Sequence, residues 1–166
     1  MKKIAFIGIM GCGKSSMAKD ISRYLELQYI SIDEMIEHEL NLSIYEIFNK
    51  YGESFFRNIE SEVLKKYVVQ GNFIIDCGGG IILNKKNIEV LKENNYIIIF
   101  IDRKPEYIIN NLDKSNRPLL EENSNTIHEI YNKRIEFYIK YSDYIVENNQ
   151  DYDDSLKAMI NLIESL

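Results

Sequence analysis

Apolar residues in this chain gather in five short dense runs, parted by longer stretches where they recur every three or four positions. Lys3–Gly8 (KIAFIG) is almost continuously apolar, which predicts a strand covered on both faces. Tyr29–Ser31, Phe73–Asp76, Tyr96–Ile101 and Tyr144–Glu147 predict further strands. Met17, Ala18, Ile21, Tyr24 and Leu25 share one face of a helix over Lys14–Glu26. Three helical pieces follow the second strand: Asp33–Leu40, Ile44–Lys50 and Glu53–Gln70. Ser43 before Glu46 is a capping box. Other helices are predicted at Asn84–Asn94, from Pro105 to about Leu112, over Thr126–Tyr141 and over Asp151–Leu166. The polar stretch Asp113–Asn125 predicts a loop. Alternation of strand and helix implies an α/β fold, a parallel sheet with helices on both faces. Ligands on such sheets bind at the carboxyl ends of strands.

A glycine cluster stands at the end of the first strand. Gly8-Ile9-Met10-Gly11-Cys12-Gly13-Lys14-Ser15 fits G-x-x-x-x-G-K-[ST] without a mismatch. Its glycines let several N–H groups face one anion, and the helix that follows adds its N-terminal dipole. The nucleotide-binding residues are therefore Gly11, Cys12, Gly13, Lys14, Ser15 and Ser16, with Lys14 on the β- and γ-phosphates and Ser15 on Mg²⁺. The dinucleotide fingerprint fails, because Gly11-x-Gly13-x-x ends at Ser16 and no acid closes the second strand at Ser31.

The chain's 166 residues suit one compact domain. Its longest apolar runs are too short to span a bilayer. The apolar run after Met-Lys-Lys leads into the phosphate loop, not to a cleavage site, so a cytoplasmic location is expected. Cys12 and Cys77, in or beside glycine clusters, are expected as small buried fillers, not a disulfide. A net charge of -6 disfavours a nucleic-acid partner but allows a local basic cleft. His38 and His128 are expected on helix surfaces. No heptad or large apolar helix face suggests a dimer, so a monomer is expected.

Asp33, Arg57, Gly78–Gly80 and Arg134 are not explained by packing. Singly, Asp33 suits a helix N-cap. Arg57 could pair with Glu53 or Glu60, and Arg134 with Glu129 or Glu136. Together they describe a site for a small anion. Guanidinium forks match a carboxylate, an acid beside a hydroxyl orients it, and bare backbone admits a ring.

The order of these segments is telling: the phosphate loop, Ser31-Ile32-Asp33, Phe55-Phe56-Arg57 with Glu60, Gly78-Gly79-Gly80, Arg117-Pro118-Leu119-Leu120, and Arg134 with Tyr138. In it the chain resembles the shikimate kinase family over nearly its whole length. The resemblance implies the nucleoside-monophosphate-kinase fold, a five-stranded parallel sheet in three α/β/α layers. One kinase domain would span 1–166, with a substrate-binding subdomain at about 33–60 and a lid at about 112–124. It implies transfer of phosphate from ATP to shikimate with Mg²⁺, in aromatic amino-acid biosynthesis. Asp33 would contact the acceptor hydroxyls, and Arg57 and Arg134 would clamp its carboxylate. Gly78, Gly79 and Gly80 would meet its ring, and Arg117 would reach the phosphates.

Two departures stand out. The family usually places two acids, D-x-D, where this chain has Ser31-Ile32-Asp33. Asp76, at the end of an apolar strand, is the candidate replacement on Mg²⁺. Asn110-Asn111 replace a common arginine of the nucleotide side, leaving Gln150 as a candidate base contact. The alternatives are another small-molecule kinase with a carboxylate-bearing acceptor, such as a gluconate kinase, and an idle nucleotide-binding regulatory protein.

Overall fold

The computed structural model describes residues 2–110 and 124–166. Its strands are β1 (Lys3–Ile7), β2 (Gln28–Ser31), β3 (Phe73–Asp76), β4 (Tyr96–Asp102) and β5 (Tyr144–Glu147). They form one sheet in the order β2-β3-β1-β4-β5, and every adjacent pair is parallel. Ile4, Ala5, Phe6 and Ile7 of the central strand are fully buried, as a strand covered on both faces requires.

The helices are α1 (Lys14–Tyr24), α2 (Ile32–Leu40), α3 (Ile44–Gln70), α4 (Lys85–Glu93), α5 (Pro105–Asn110), α6 (Ser124–Tyr141) and α7 (Tyr152–Ser165). The chain leaves β1 toward β2 on one side, then crosses back from β3 past β1 to β4. Right-handed crossovers in opposite directions put α1 on one face and α3 and α4 on the other. The C-terminal α7 joins the α1 face, where the Tyr152 hydroxyl donates to Asp20 at 2.6 Å and Tyr24 to Glu164. Among the described residues, no helix is long and apolar enough to cross a membrane.

Most expected elements are present, with two corrections. The first helix stops at Tyr24, not Glu26, because Glu26 turns the chain with φ 54. The pieces expected at Ile44–Lys50 and Glu53–Gln70 are two helices of α3, parted at Gly52 (φ 80, ψ 173), a conformation that suits glycine. The capping box at its start is intact: the Glu46 N–H donates to Ser43 at 3.2 Å, and Ser43 N–H to Glu46 at 2.8 Å. Finally, α6 begins at Ser124, two residues before Thr126, because polar residues suit a first turn as well as a loop. Of the lid expected at about 112–124, all but Ser124 lies outside the described residues, as do Arg117 and Pro118.

Candidate active site

The phosphate loop joins β1 to α1 at the carboxyl edge of the sheet. Its glycines are required by space as well as by φ. A Cβ on Gly8 (φ +150) would lie 2.6 Å from the Ile101 carbonyl oxygen. One on Gly13 (φ +95) would lie 2.6 Å from Asn148 Nδ2. Asn148 is buried after β5, and its amide donates to the Cys12 carbonyl at 2.8 Å. It ties the end of β5 to the loop. Lys14 is 8% exposed and donates to the Ile9 carbonyl at 3.2 Å. Burial opposes its charge, but the charge of Asp76 and other nearby groups outweighs it and raises the ammonium above its ordinary range. Cys12 and Cys77 are free and buried, and burial pushes both thiols up, so they stay neutral.

Across the carboxyl edge, β3 runs into Gly78-Gly79-Gly80, and the expected acceptor residues surround that loop. A Cβ on Gly78 would meet Asp33 Oδ1 at 2.8 Å and Glu60 Oε1 at 2.7 Å. A Cβ on Gly80 would land on the guanidinium of Arg57. From α6, Arg134 Nη1 donates to the Gly79 carbonyl at 3.2 Å. The Tyr138 hydroxyl donates to the same oxygen at 2.5 Å, while its buried ring stacks on Phe100 at 4.9 Å. Two guanidinium groups and two carboxylates thus close on one stretch of bare backbone.

Asp33 is not the N-cap that its position suggested. Ser31 takes that role, accepting from the Glu34 N–H at 3.3 Å, so Asp33 falls inside α2 with its carboxyl toward the glycine loop. Burial raises Asp33 above the usual carboxylate range, against the pull of Lys14. Arg57 makes both ion pairs open to it, with Glu60 at 2.9 Å and Glu53 at 3.3 Å. Arg134 makes no ion pair with Glu129 or Glu136 among the described residues; it turns to Gly79 instead.

Because Glu60 and Glu53 hold Arg57 from both sides, the guanidinium cannot yield freely to a new methyl group. Gly80→Ala is therefore expected to displace it and raise the KM for a carboxylate acceptor by about tenfold, the loss of one charge-assisted hydrogen bond. Steady-state kinetics checks this, and an unchanged KM would show that Arg57 is not held there.

The family model "Shikimate kinase" matches residues 10–164. The chain belongs to the shikimate kinase family. A shikimate kinase of Clostridium beijerinckii is 39% identical over 161 residues, 97% of this chain and 94% of that protein. One of Clostridium botulinum is 41% identical over 161 residues, covering 97% and 96%. In structure, the shikimate kinase of Acinetobacter baumannii in complex with shikimate superposes with a TM-score of 0.90 at 28% identity, over 99% of this chain and 94% of that one.

In this chain, the strand end that carries Ser31 lies in register with Asp76 of β3. Ser15 donates to Asp76 Oδ2 at 2.5 Å. The acid at this place thus stands one strand over from the position that the family pattern suggests. Glu60, which the sequence marked as a partner of Arg57, is 1% exposed, and its Oε1 has no hydrogen-bond partner among the described residues. Two residues escaped the sequence reading, Asn148 and Arg103. Asn148 touches the phosphate loop; the Gln150 side chain, the candidate base contact, is exposed and makes no hydrogen bond among the described residues. Arg103 follows β4 with a buried Nε that has no partner among the described residues, and its charge pulls weakly on Cys12. No sequence motif marked Asn148 or Arg103.

Proposed function

We propose that this chain transfers the γ-phosphoryl group of ATP to shikimate, giving ADP and shikimate 3-phosphate. The observation that carries this reading is the meeting of Arg57, Arg134 and Asp33 at Gly78–Gly80, beside a complete phosphate loop. Phosphoryl transfer runs through a loose transition state, so positioning and charge neutralisation supply most of its rate.

Gly11, Cys12, Gly13 and Ser16 offer backbone N–H groups to the phosphates, and Lys14 brings its charge to the β- and γ-groups. Arg57 and Arg134 clamp the acceptor carboxylate. Gly78, Gly79 and Gly80 admit its ring because they present no side chain. Asp33 accepts the hydrogen bond of the attacking hydroxyl and orients it. Residues 33–60 form the acceptor-binding subdomain on this reading, and the enzyme is a cytoplasmic monomer.

Ser15 and Asp76 would hold Mg²⁺. What supports this is the donor set, a hydroxyl and a buried carboxylate oxygen 2.5 Å apart at the foot of the phosphate loop. Magnesium takes one or two carboxylates together with substrate phosphates, so this sparse pair suits it. When bound, the ion offsets phosphate charge.

The test is the fate of the phosphate. With ATP, Mg²⁺ and shikimate, ³¹P spectra are expected to show one phosphate ester for each ADP. Release of inorganic phosphate in place of the ester would overturn the reading.

A further inference from the structure

Asp76 is held by more than Ser15. The Tyr29 hydroxyl also donates to Asp76 Oδ2, at 3.2 Å. The sheet explains how it gets there. Ser31 of β2 is in register with Asp76 of β3, and Tyr29 lies two residues earlier on β2, on the same face as Ser31. A tyrosine at that diagonal is long enough to reach its neighbour's carboxylate. Ser31 Oγ accepts from the Glu34 N–H in capping α2, and no hydrogen bond joins Ser31 to Asp76 among the described residues.

The ring is fixed as well. The Lys19 ammonium of α1 lies 5.1 Å from its centroid, and Lys19 is steadied by Glu34 at 3.6 Å. A phenol is protonated at neutral pH, and hence a donor to the Asp76 carboxylate. Both hydroxyls, from Ser15 and Tyr29, use Oδ2, so neither uses Oδ1.

We infer that Tyr29 is a positioning residue for divalent-cation binding: its hydroxyl fixes the Asp76 carboxylate against Ser15 in the orientation that receives the ion. This rests on the assignment of Asp76 to the Mg²⁺ site made above. A carboxylate fixed by two donors presents its remaining oxygen in one direction. One held by Ser15 alone can rotate about its own side chain when Ser15 turns to the ion. Partners of metal-associated groups set affinity in this way, without touching the metal.

The test uses Tyr29→Phe, which keeps the ring and removes only the donor. Mn²⁺ binding to the protein–ADP complex, followed by electron paramagnetic resonance, is the direct readout. Tyr29→Phe is expected to weaken Mn²⁺ by about tenfold, and to raise the half-saturating Mg²⁺ concentration of the reaction more than it lowers kcat. Asp76→Asn is expected to weaken Mn²⁺ by more than tenfold, on the same scale. Adding Tyr29→Phe to Asp76→Asn is expected to change nothing further, because the hydroxyl acts only through the carboxylate.

If Asp76→Asn leaves Mn²⁺ affinity intact, the metal assignment itself fails. If Asp76→Asn weakens it and Tyr29→Phe does not, the assignment stands and the role of Tyr29 is overturned. Equal losses from Tyr29→Phe in both backgrounds would also overturn that role, since the hydroxyl would then act elsewhere.

Discussion

Asp33→Asn is expected to lower kcat by about 10²- to 10⁴-fold, the range for losing a positioned acid–base group. The substitution keeps the size of the side chain but removes its charge. Asp33 is the carboxylate nearest the glycine loop that is not spent on an arginine, since Glu60 pairs with Arg57. Only an ionised Asp33 can take the proton of an attacking hydroxyl.

The pH profile separates this role from a structural one. Burial raises the Asp33 carboxyl above its ordinary value, more than Lys14 lowers it. The working form is the ionised one, so activity is full above that raised pKa and falls as the pH drops through it. The acid limb of kcat/KM is therefore expected above about pH 3.9, the value of a free aspartate. Asp33→Asn should flatten that limb as well as lower the plateau. A mutant with a full acid limb would show that another group titrates.

Arg57→Ala is expected to act twice. It removes one half of the carboxylate clamp, which should lower kcat/KM for shikimate by about a hundredfold or more, as loss of a paired, charge-assisted contact does. It also strands Glu60, a side chain only 1% exposed whose Oε1 already lacks a partner among the described residues. Removing one partner of a buried pair costs stability, here about 2–3 kcal/mol because the Arg57 side chain is itself 22% exposed.

The two effects can be pulled apart. Arg57→Ala with Glu60→Gln should recover much of the lost melting temperature, since no buried charge is left over. It should recover none of the lost kcat/KM. Recovery of both would mean that Arg57 serves the fold and not the acceptor.

How much of this was legible depends on the range of the interaction. The sheet was legible because parallel strands buried on both faces read as apolar runs, as Lys3–Gly8 does. The phosphate loop was legible because its anion-binding geometry is local in sequence. Asp33 was only half legible: its place at a strand end was visible, but Ser31, two residues earlier, takes the cap and frees it. Arg57 was ambiguous because its Glu53 and Glu60 spacing fits a surface helix equally well, and only the glycine loop brought against it from β3 gives it a site. The Tyr29–Asp76 bond joins residues 47 apart through strand register, which no local pattern encodes. Asn148 reaches Cys12 across 136 positions, and it was missed for the same reason.

The most direct test of the central claim is ADP release by the purified protein with ATP and Mg²⁺, with and without shikimate. The account predicts slow release alone and a large rise on adding shikimate, lost in Arg57→Ala. Release that ignores shikimate, or none with it despite tight ATP binding, would contradict a site built to phosphorylate that acceptor.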